Sequence, residues 1–430
     1  MRHGLFTAAF VLLTLAAVAA PPPQQRVMAK TAVLMDPVTR QVLWSRNADL
    51  RRPPASTTKV MTALLVLEHG GLDDMVVISE RAATSPHGCL TMTPGEQISL
   101  HDLLVALMLQ SSNDACIAVA EHVAGSVEAF VSRMNERARE LGCRNTQFRN
   151  PNGLHEPGHY SSARDLAVIA VECLRLPEFR RIMAMQTARI KRSSGSTNVV
   201  MINRARTYMQ RTPGADGIKT GYTKQAGHCF IGSAVRDGRR LITVSLNSPQ
   251  VFNDTQMLLK LGFTEFTRTT LVQANEVVGE VTPEGRGARP IPVITEQVLA
   301  VAHPKSAPAP RPELKCVIDR PQLPVRRGQP VGRLEARLNG KLLTSAPVIL
   351  QKGQALAPPP SWPRWLRPLG VIAGSLLLIV AGFGLVRLLI GLRGRSSRDA
   401  SPLDHATPAQ EAEASARTPR GQRPIRRYTR

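Results

Sequence analysis

The chain is 430 residues long and 43% hydrophobic, with 55 basic against 32 acidic residues and a formal net charge of +23. Length and hydrophobic content suffice for two core-forming soluble domains with appendages. The positive excess does not signal a nucleic-acid partner. Arg417, Arg420, Arg423, Arg426, Arg427 and Arg430 carry part of it in one tail, and the folded part is expected outside a membrane, where the polyanions are wall polymers and lipid head groups. Six cysteines show no C-x-x-C pairing and no metal-type spacing with histidine. A metal enzyme is disfavoured, no cofactor is expected, and buried free thiols are expected ahead of a disulfide framework.

Met1-Arg2-His3, the apolar stretch from Leu5 to Val18 and the small-x-small site Ala17-Val18-Ala19 predict a secretory signal peptide over 1–19. Alternating segments over 31–35 and 41–44, around Asp36-Pro37, predict a hairpin. Helical periodicity then dominates, over 57–69, 100–110, 114–124, 127–141 and 163–174. Strands are expected again at 188–191, 217–220, 227–235 and 240–246, followed by a closing helix over 258–266. Strands on both sides of a helical block imply an antiparallel sheet with helices inserted between its halves, an α/β domain over 27–268.

From 270 to 352 the texture changes to short β-type runs with Gly and Pro turns, and Asn339-Gly340 is a hairpin signal, so a small β-sandwich is expected. Proline-rich residues 353–368 read as a stiff linker. Residues 369–392 carry Arg387 as their single charge and are long enough, at 1.5 Å per residue, to cross about 30 Å of hydrocarbon as a transmembrane helix. Trp362 and Trp365 precede this segment and Arg393, Arg395 and Arg398 follow it. Positive-inside bias therefore puts the basic tail 393–430 in the cytoplasm and the folded part outside the cell membrane.

Three short motifs carry chemistry: Ser56-Thr57-Thr58-Lys59, Ser111-Ser112-Asn113 and Lys219-Thr220-Gly221. Ser-x-x-Lys recurs by chance about once in a few hundred residues, so the weight rests on the set and its order. Only ten of the basic residues are lysine, which makes each lysine less a filler. A partly desolvated amine can lose its proton, whereas a guanidinium effectively cannot. On a helix, Ser56 and Lys59 share a face as nucleophile and amine. Alone they could equally be an N-cap and a solvated first-turn residue. Ser111 and Asn113 suit a tight turn facing a cleft, and capping would look the same. Lys219 and Thr220 lie on a strand that could hold a carboxylate, with Gly221 leaving room for a substrate backbone.

Together these stretches, with Asn150-Pro151-Asn152-Gly153-Leu154, Gly158-His159-Tyr160-Ser161-Ser162-Ala163-Arg164-Asp165-Leu166 and Asp216-Gly217-Ile218, resemble the low-molecular-weight penicillin-binding proteins, serine-type D-alanyl-D-alanine carboxypeptidases of peptidase family S11. The resemblance covers about 28–266 and extends more weakly to about 352. It implies a β-lactamase/transpeptidase-like fold and a peptidoglycan pentapeptide ending in D-Ala-D-Ala as substrate. It also implies β-lactam antibiotics as covalent inhibitors. Ser56 would form the acyl-enzyme, Lys59 activate it, Ser111 relay the proton and Asn113 bind the substrate amide. Lys219 and Thr220 would receive the terminal carboxylate beside Gly221, with the N–H groups of Ser56 and Tyr222 as the oxyanion hole.

Two positions depart from the family's pattern. Ser112 stands where glycine is frequent, and Val251 stands where many members carry an arginine that helps fix the substrate carboxylate. A class A β-lactamase shares fold and motifs but needs a deacylating glutamate, usually in Glu-x-x-Asn, and none occurs between Asn113 and Lys219. A catalytically weak wall-binding homologue is the other alternative, against which the intact motif residues argue. His155 and His159 read as loop histidines rather than catalytic ones.

Overall fold

The structure, a computed structural model, describes residues 26–192, 198–357 and 375–387. The described residues up to 357 belong to one compact unit and the described residues 375–387 to another. In chain order the first unit contains β1 (Thr31–Met35), β2 (Val42–Arg46), α1 (Lys59–His69), β3 (Met75–Val77), α2 (Glu80–Ala83), β4 (Gln97–Ser99), α3 (Leu100–Leu109), α4 (Asn113–Ala124), α5 (Val127–Glu140), α6 (Ala163–Arg175) and α7 (Pro177–Ala184). It continues through β5 (Thr187–Ile190), β6 (Val199–Ile202), α8 (Arg206–Arg211), β7 (Ala215–Thr223), β8 (Gly227–Arg236), β9 (Arg239–Leu246) and α9 (Val251–Glu265). Seven further strands follow, β10 (Phe266–Val272), β11 (Val277–Val281), β12 (Ile291–Thr295), β13 (Leu299–Pro304), β14 (Glu313–Ile318), β15 (Pro330–Leu338) and β16 (Lys341–Leu350).

An antiparallel sheet in the order β2-β1-β9-β8-β7 joins the two ends of the α/β domain. Its register sets Val33 opposite Val244 and Ile231 opposite Val244 on the other side. β9 is buried along Leu241–Leu246 because helices cover both faces of the sheet, which is why its sequence is nearly continuously apolar. One core lies between the sheet and helices α1, α3, α4 and α6. A second, with Leu34, Phe230, Leu241 and Leu258, fills the space under α9. α1 is apolar almost all round and correspondingly buried; Gly70, at φ 80, ends it.

The predicted hairpin and the five predicted helices of the inserted block are present, each within two residues of its expected bounds. α9 starts seven residues earlier than expected, at Val251. The helices α2, α7 and α8 and the strands β3, β4 and β6 were not expected. The three helices have four to eight residues, too few for periodicity to register.

After α9, β10 pairs with β13 while β11-β12-β16-β15-β14 form a five-stranded antiparallel sheet. Val272 and Leu299 of the pair share a core with Val293, Leu334 and Val348 of the larger sheet. The Asn339-Gly340 turn between β15 and β16 has positive φ at both residues (50° and 76°), the conformation that this dipeptide favours. This C-terminal β domain is tied to the α/β domain at Asp36, whose fully buried carboxylate meets Arg239 at 3.3 Å and Arg268 at 3.4 Å.

The expected signal peptide 1–19 and basic tail 393–430 lie outside the described residues. Of the expected span 369–392, only the apolar helix Ser375–Arg387 is described. Among the described residues no single helix is long and apolar enough to cross a membrane.

Candidate active site

Ala55 to Thr58 form a single 3-10 turn that runs straight into α1. The Thr57 N–H and hydroxyl both donate to the Pro54 carbonyl, at 3.3 and 2.6 Å. This anchors the turn and brings Ser56 Oγ to 3.1 Å from Lys59 Nζ. Lys59 is completely buried. Its ammonium donates to Asn113 Oδ1 at 2.8 Å and to the Asn152 carbonyl at 2.6 Å as well. Asn113 Nδ2 donates to the Pro86 carbonyl at 3.1 Å, so the amide oxygen is the end that faces the lysine.

These contacts satisfy the three donors of a charged lysine. Burial nevertheless pushes its pKa below the ordinary lysine value, because the charged form loses its hydration. The two carbonyl oxygens can only accept. A neutral Lys59 therefore keeps its two N–H donors on Asn113 and Asn152 and is left with its lone pair toward Ser56 Oγ, the arrangement a base needs.

The Ser111 turn is held from behind. Ser111 adopts φ 68, which lifts it between α3 and α4. Asp114, buried at the start of α4, accepts from the Ser112 hydroxyl and from the backbone N–H groups of Cys89 and Leu90, at 3.3 and 3.0 Å for the latter two. A side chain at Gly88 would come within 2.5 Å of that carboxylate. Ser112, at the position often glycine in the family, thus turns into the protein and braces the turn. Ser111 Oγ is left buried without a hydrogen-bond partner among the described residues.

β7 is one edge of the sheet, β2 being the other, and runs past the turn that carries Ser56. A Cβ on Gly221 would lie 2.9 Å from Ser56 N and 3.0 Å from Thr57 N, so glycine is what allows this approach. Lys219 is buried, with a 3.2 Å hydrogen bond to the Thr220 carbonyl. Burial, and then the charge of Lys59, push its pKa well below the ordinary lysine value. Tyr222 is mostly exposed, its ring 4.6 Å from that of His228.

Ser56, Ser111, Thr220, Gly221 and Tyr222 line one cleft of about 360 Å³. Lys59 adjoins it through its hydrogen bond to Ser56, and Asn113 through its bond to Lys59. Val251 lines it too, and so does Arg204, which sequence reasoning missed. Arg204 is one of many arginines and belongs to none of the three motifs, so no local signal marks it; the Arg204 N–H bonded to the Leu109 carbonyl at 3.0 Å fixes its backbone beside the cleft. Asn152 lies within the Asn150–Leu154 stretch, but nothing in the sequence marks its carbonyl as a lysine partner.

His159 lies behind the turn that carries Ser56. Its Nδ1 accepts from the Arg149 N–H at 3.1 Å, which leaves Nε2 to donate to Thr58 Oγ1 at 2.9 Å. Burial pushes its pKa down to about 4, so it stays neutral and holds the turn in place. His155 is exposed. The six cysteines are free thiols.

Residues 16–250 match the family described as peptidase S11, D-alanyl-D-alanine carboxypeptidase. The chain is 33% identical over 332 residues to D-alanyl-D-alanine carboxypeptidase DacF of Bacillus subtilis, an alignment covering 74% of this chain and 84% of the relative. It is also 33% identical over 356 residues to DacC of Escherichia coli, covering 75% and 84%. Among solved structures, penicillin binding protein 5 from Haemophilus influenzae superposes with a TM-score of 0.59 at 29% identity, over 78% of this chain and 99% of that one.

Proposed function

The chain belongs to the peptidase S11 family of serine-type D-alanyl-D-alanine carboxypeptidases, the low-molecular-weight penicillin-binding proteins, and from that membership we propose that Ser56 is the residue it acylates. The observation that carries this is the buried Lys59 amine, 3.1 Å from Ser56 Oγ and otherwise surrounded by acceptors. As Ser56 Oγ attacks the carbonyl between two terminal D-alanines, its proton passes to Lys59. The N–H groups of Ser56 and Tyr222 stabilise the oxyanion, and Asn113 grips the substrate amide. Ser111, whose hydroxyl has no competing partner, hands the proton to the departing amine.

Lys219, Thr220 and Arg204 receive the terminal carboxylate. Arg204 lines the same cleft as Val251 and supplies there the guanidinium that Val251 lacks. The substrate backbone lies along the edge of β7, where unpaired strand groups are available to it. Release of D-alanine leaves the acyl-enzyme, which water then hydrolyses to the shortened stem peptide.

The apolar and charged patterns of the sequence support a placement: signal peptide 1–19, catalytic domain 27–268, β domain 270–352, linker 353–368, membrane span 369–392 and cytoplasmic tail 393–430. The catalytic domain then works on the outer side of the cell membrane.

Incubating the purified full chain with fluorescent penicillin, and separately with a pentapeptide ending in D-Ala-D-Ala, tests the assignment. Stable labelling and D-alanine release, both lost in Ser56→Ala, are expected. Rapid turnover of the penicillin would indicate a β-lactamase, and label retained by Ser56→Ala would place the nucleophile elsewhere.

A further inference from the structure

At the far ends of the two helices that carry Lys59 and Asn113, three side chains converge that the catalytic site does not use. His69 is the last residue of α1, His122 lies in the last turn of α4, and Asp74 follows the tight turn after α1. One donor atom from each lies within 4.8 Å of the other two. His122 Nε2 is already 3.4 Å from Asp74 Oδ2, close to the roughly 3.3 Å between donors in a tetrahedral zinc site with bonds of about 2.0–2.1 Å. The rings of His69 and His122 stand edge to face, 6.1 Å apart.

The surroundings fit a built site. Asp74 is held by its own backbone, its N–H bonding Gly71 O at 2.9 Å and its carbonyl accepting from Leu100 N at 2.9 Å. A Cβ on Gly71, itself at φ 62, would sit 2.4 Å from Asp74 Oδ2 and drive the carboxylate out of the cluster. Of the neighbouring carboxylates, Glu68 is engaged with Arg137 at 2.7 Å and Glu121 with Ser79 Oγ at 2.6 Å. Asp74 is the acid whose carboxylate lies with both histidines.

We propose that His69, Asp74 and His122 form a binding site for a borderline divalent transition cation, Zn²⁺ foremost, that pins the C-terminal end of α1 to that of α4. Two imidazoles and one carboxylate are the donor set such a cation selects over Mg²⁺ or Ca²⁺. The ligands are 53 residues apart in sequence, so Cys/His spacing could not reveal them. The site lies one helix length, about 15 Å, from Lys59, too far for a part in the acyl transfer. Its effect is on the rigidity of the helix pair whose other ends meet in the Lys59–Asn113 hydrogen bond.

The test uses the tag-free full chain stripped with chelator, titrated with ZnCl₂ by calorimetry and followed by thermal unfolding. One Zn²⁺ bound per chain and a rise in Tm of about 3 °C or more at saturation are expected, reversed by EDTA. Both effects should vanish in His69→Ala and in His122→Ala, weaken in Asp74→Asn, and persist in the exposed-loop control His155→Ala. Fluorescent-penicillin labelling of each variant reports that it is folded. No zinc binding, or binding that survives in folded His69→Ala and His122→Ala, would overturn the proposal.

Discussion

As the proposed base, Lys59 must be buried enough to give up its proton and hydrogen-bonded enough to be tolerated when it has not. Three acceptors meet the second need and full burial the first. Acylation by penicillin should therefore rise with pH through an ionisation below the ordinary lysine range, which stopped-flow labelling would resolve. In Lys59→Arg that rising limb should be lost and the rate should fall by about 10²–10⁴-fold, because guanidinium stays protonated. His159 makes a separate prediction. Its folded pKa of about 4 lies below an unfolded value of about 6.5, so the unfolded chain binds the extra proton first. The stability it contributes is present above about pH 6.5 and is lost as pH falls toward 4, an order of ~3 kcal/mol. Urea titrations should show this slope, and His159→Gln should flatten it.

At the scale of elements, the site depends on how closely β7 approaches the turn before α1. Gly221 sets that distance, since any side chain would crowd the Ser56 and Thr57 N–H groups. Gly221→Ala should lower the rate of penicillin acylation by about 10²-fold, the usual cost of a lost oxyanion donor. Its far-ultraviolet circular dichroism should stay native, because the added methyl meets only the short turn of Ala55, Ser56 and Thr57 that leads into α1. Retained acylation would mean that the Ser56 N–H is not a donor in the reaction.

For the molecule as a whole, the junction between the α/β and β domains turns on Asp36. Its carboxylate takes Arg239 from the sheet and Arg268 from β10. The Ala302 N–H bonds Gln41 Oε1 at 2.7 Å and the Thr344 hydroxyl bonds the Thr39 carbonyl at 3.3 Å on the same side. Asp36→Ala leaves two partly buried guanidinium groups without their anion, so a loss of about 3 kcal/mol is expected. Limited proteolysis should then cut near the start of β10, releasing an α/β fragment that still labels with penicillin. Cleavage spread evenly through both domains would place the weak point elsewhere.

What the sequence determined by itself was chemistry that is local in the chain. Ser56 and Lys59 share a helical face because they are three apart, and apolar periodicity in the inserted helices depends on residues within one element. The order of the three motifs, carried by short contiguous stretches, was enough to point to the family. Tertiary structure decided what depends on contacts between distant residues. It brought Arg204 to the cleft that Val251 also lines, and gave Lys59 the Asn152 carbonyl. It also brought His69, Asp74 and His122 together at the ends of two helices. No periodicity or spacing rule encodes those placements, because burial, loss of hydration and hydrogen-bond geometry arise only when segments about 50 to 100 residues apart pack against one another.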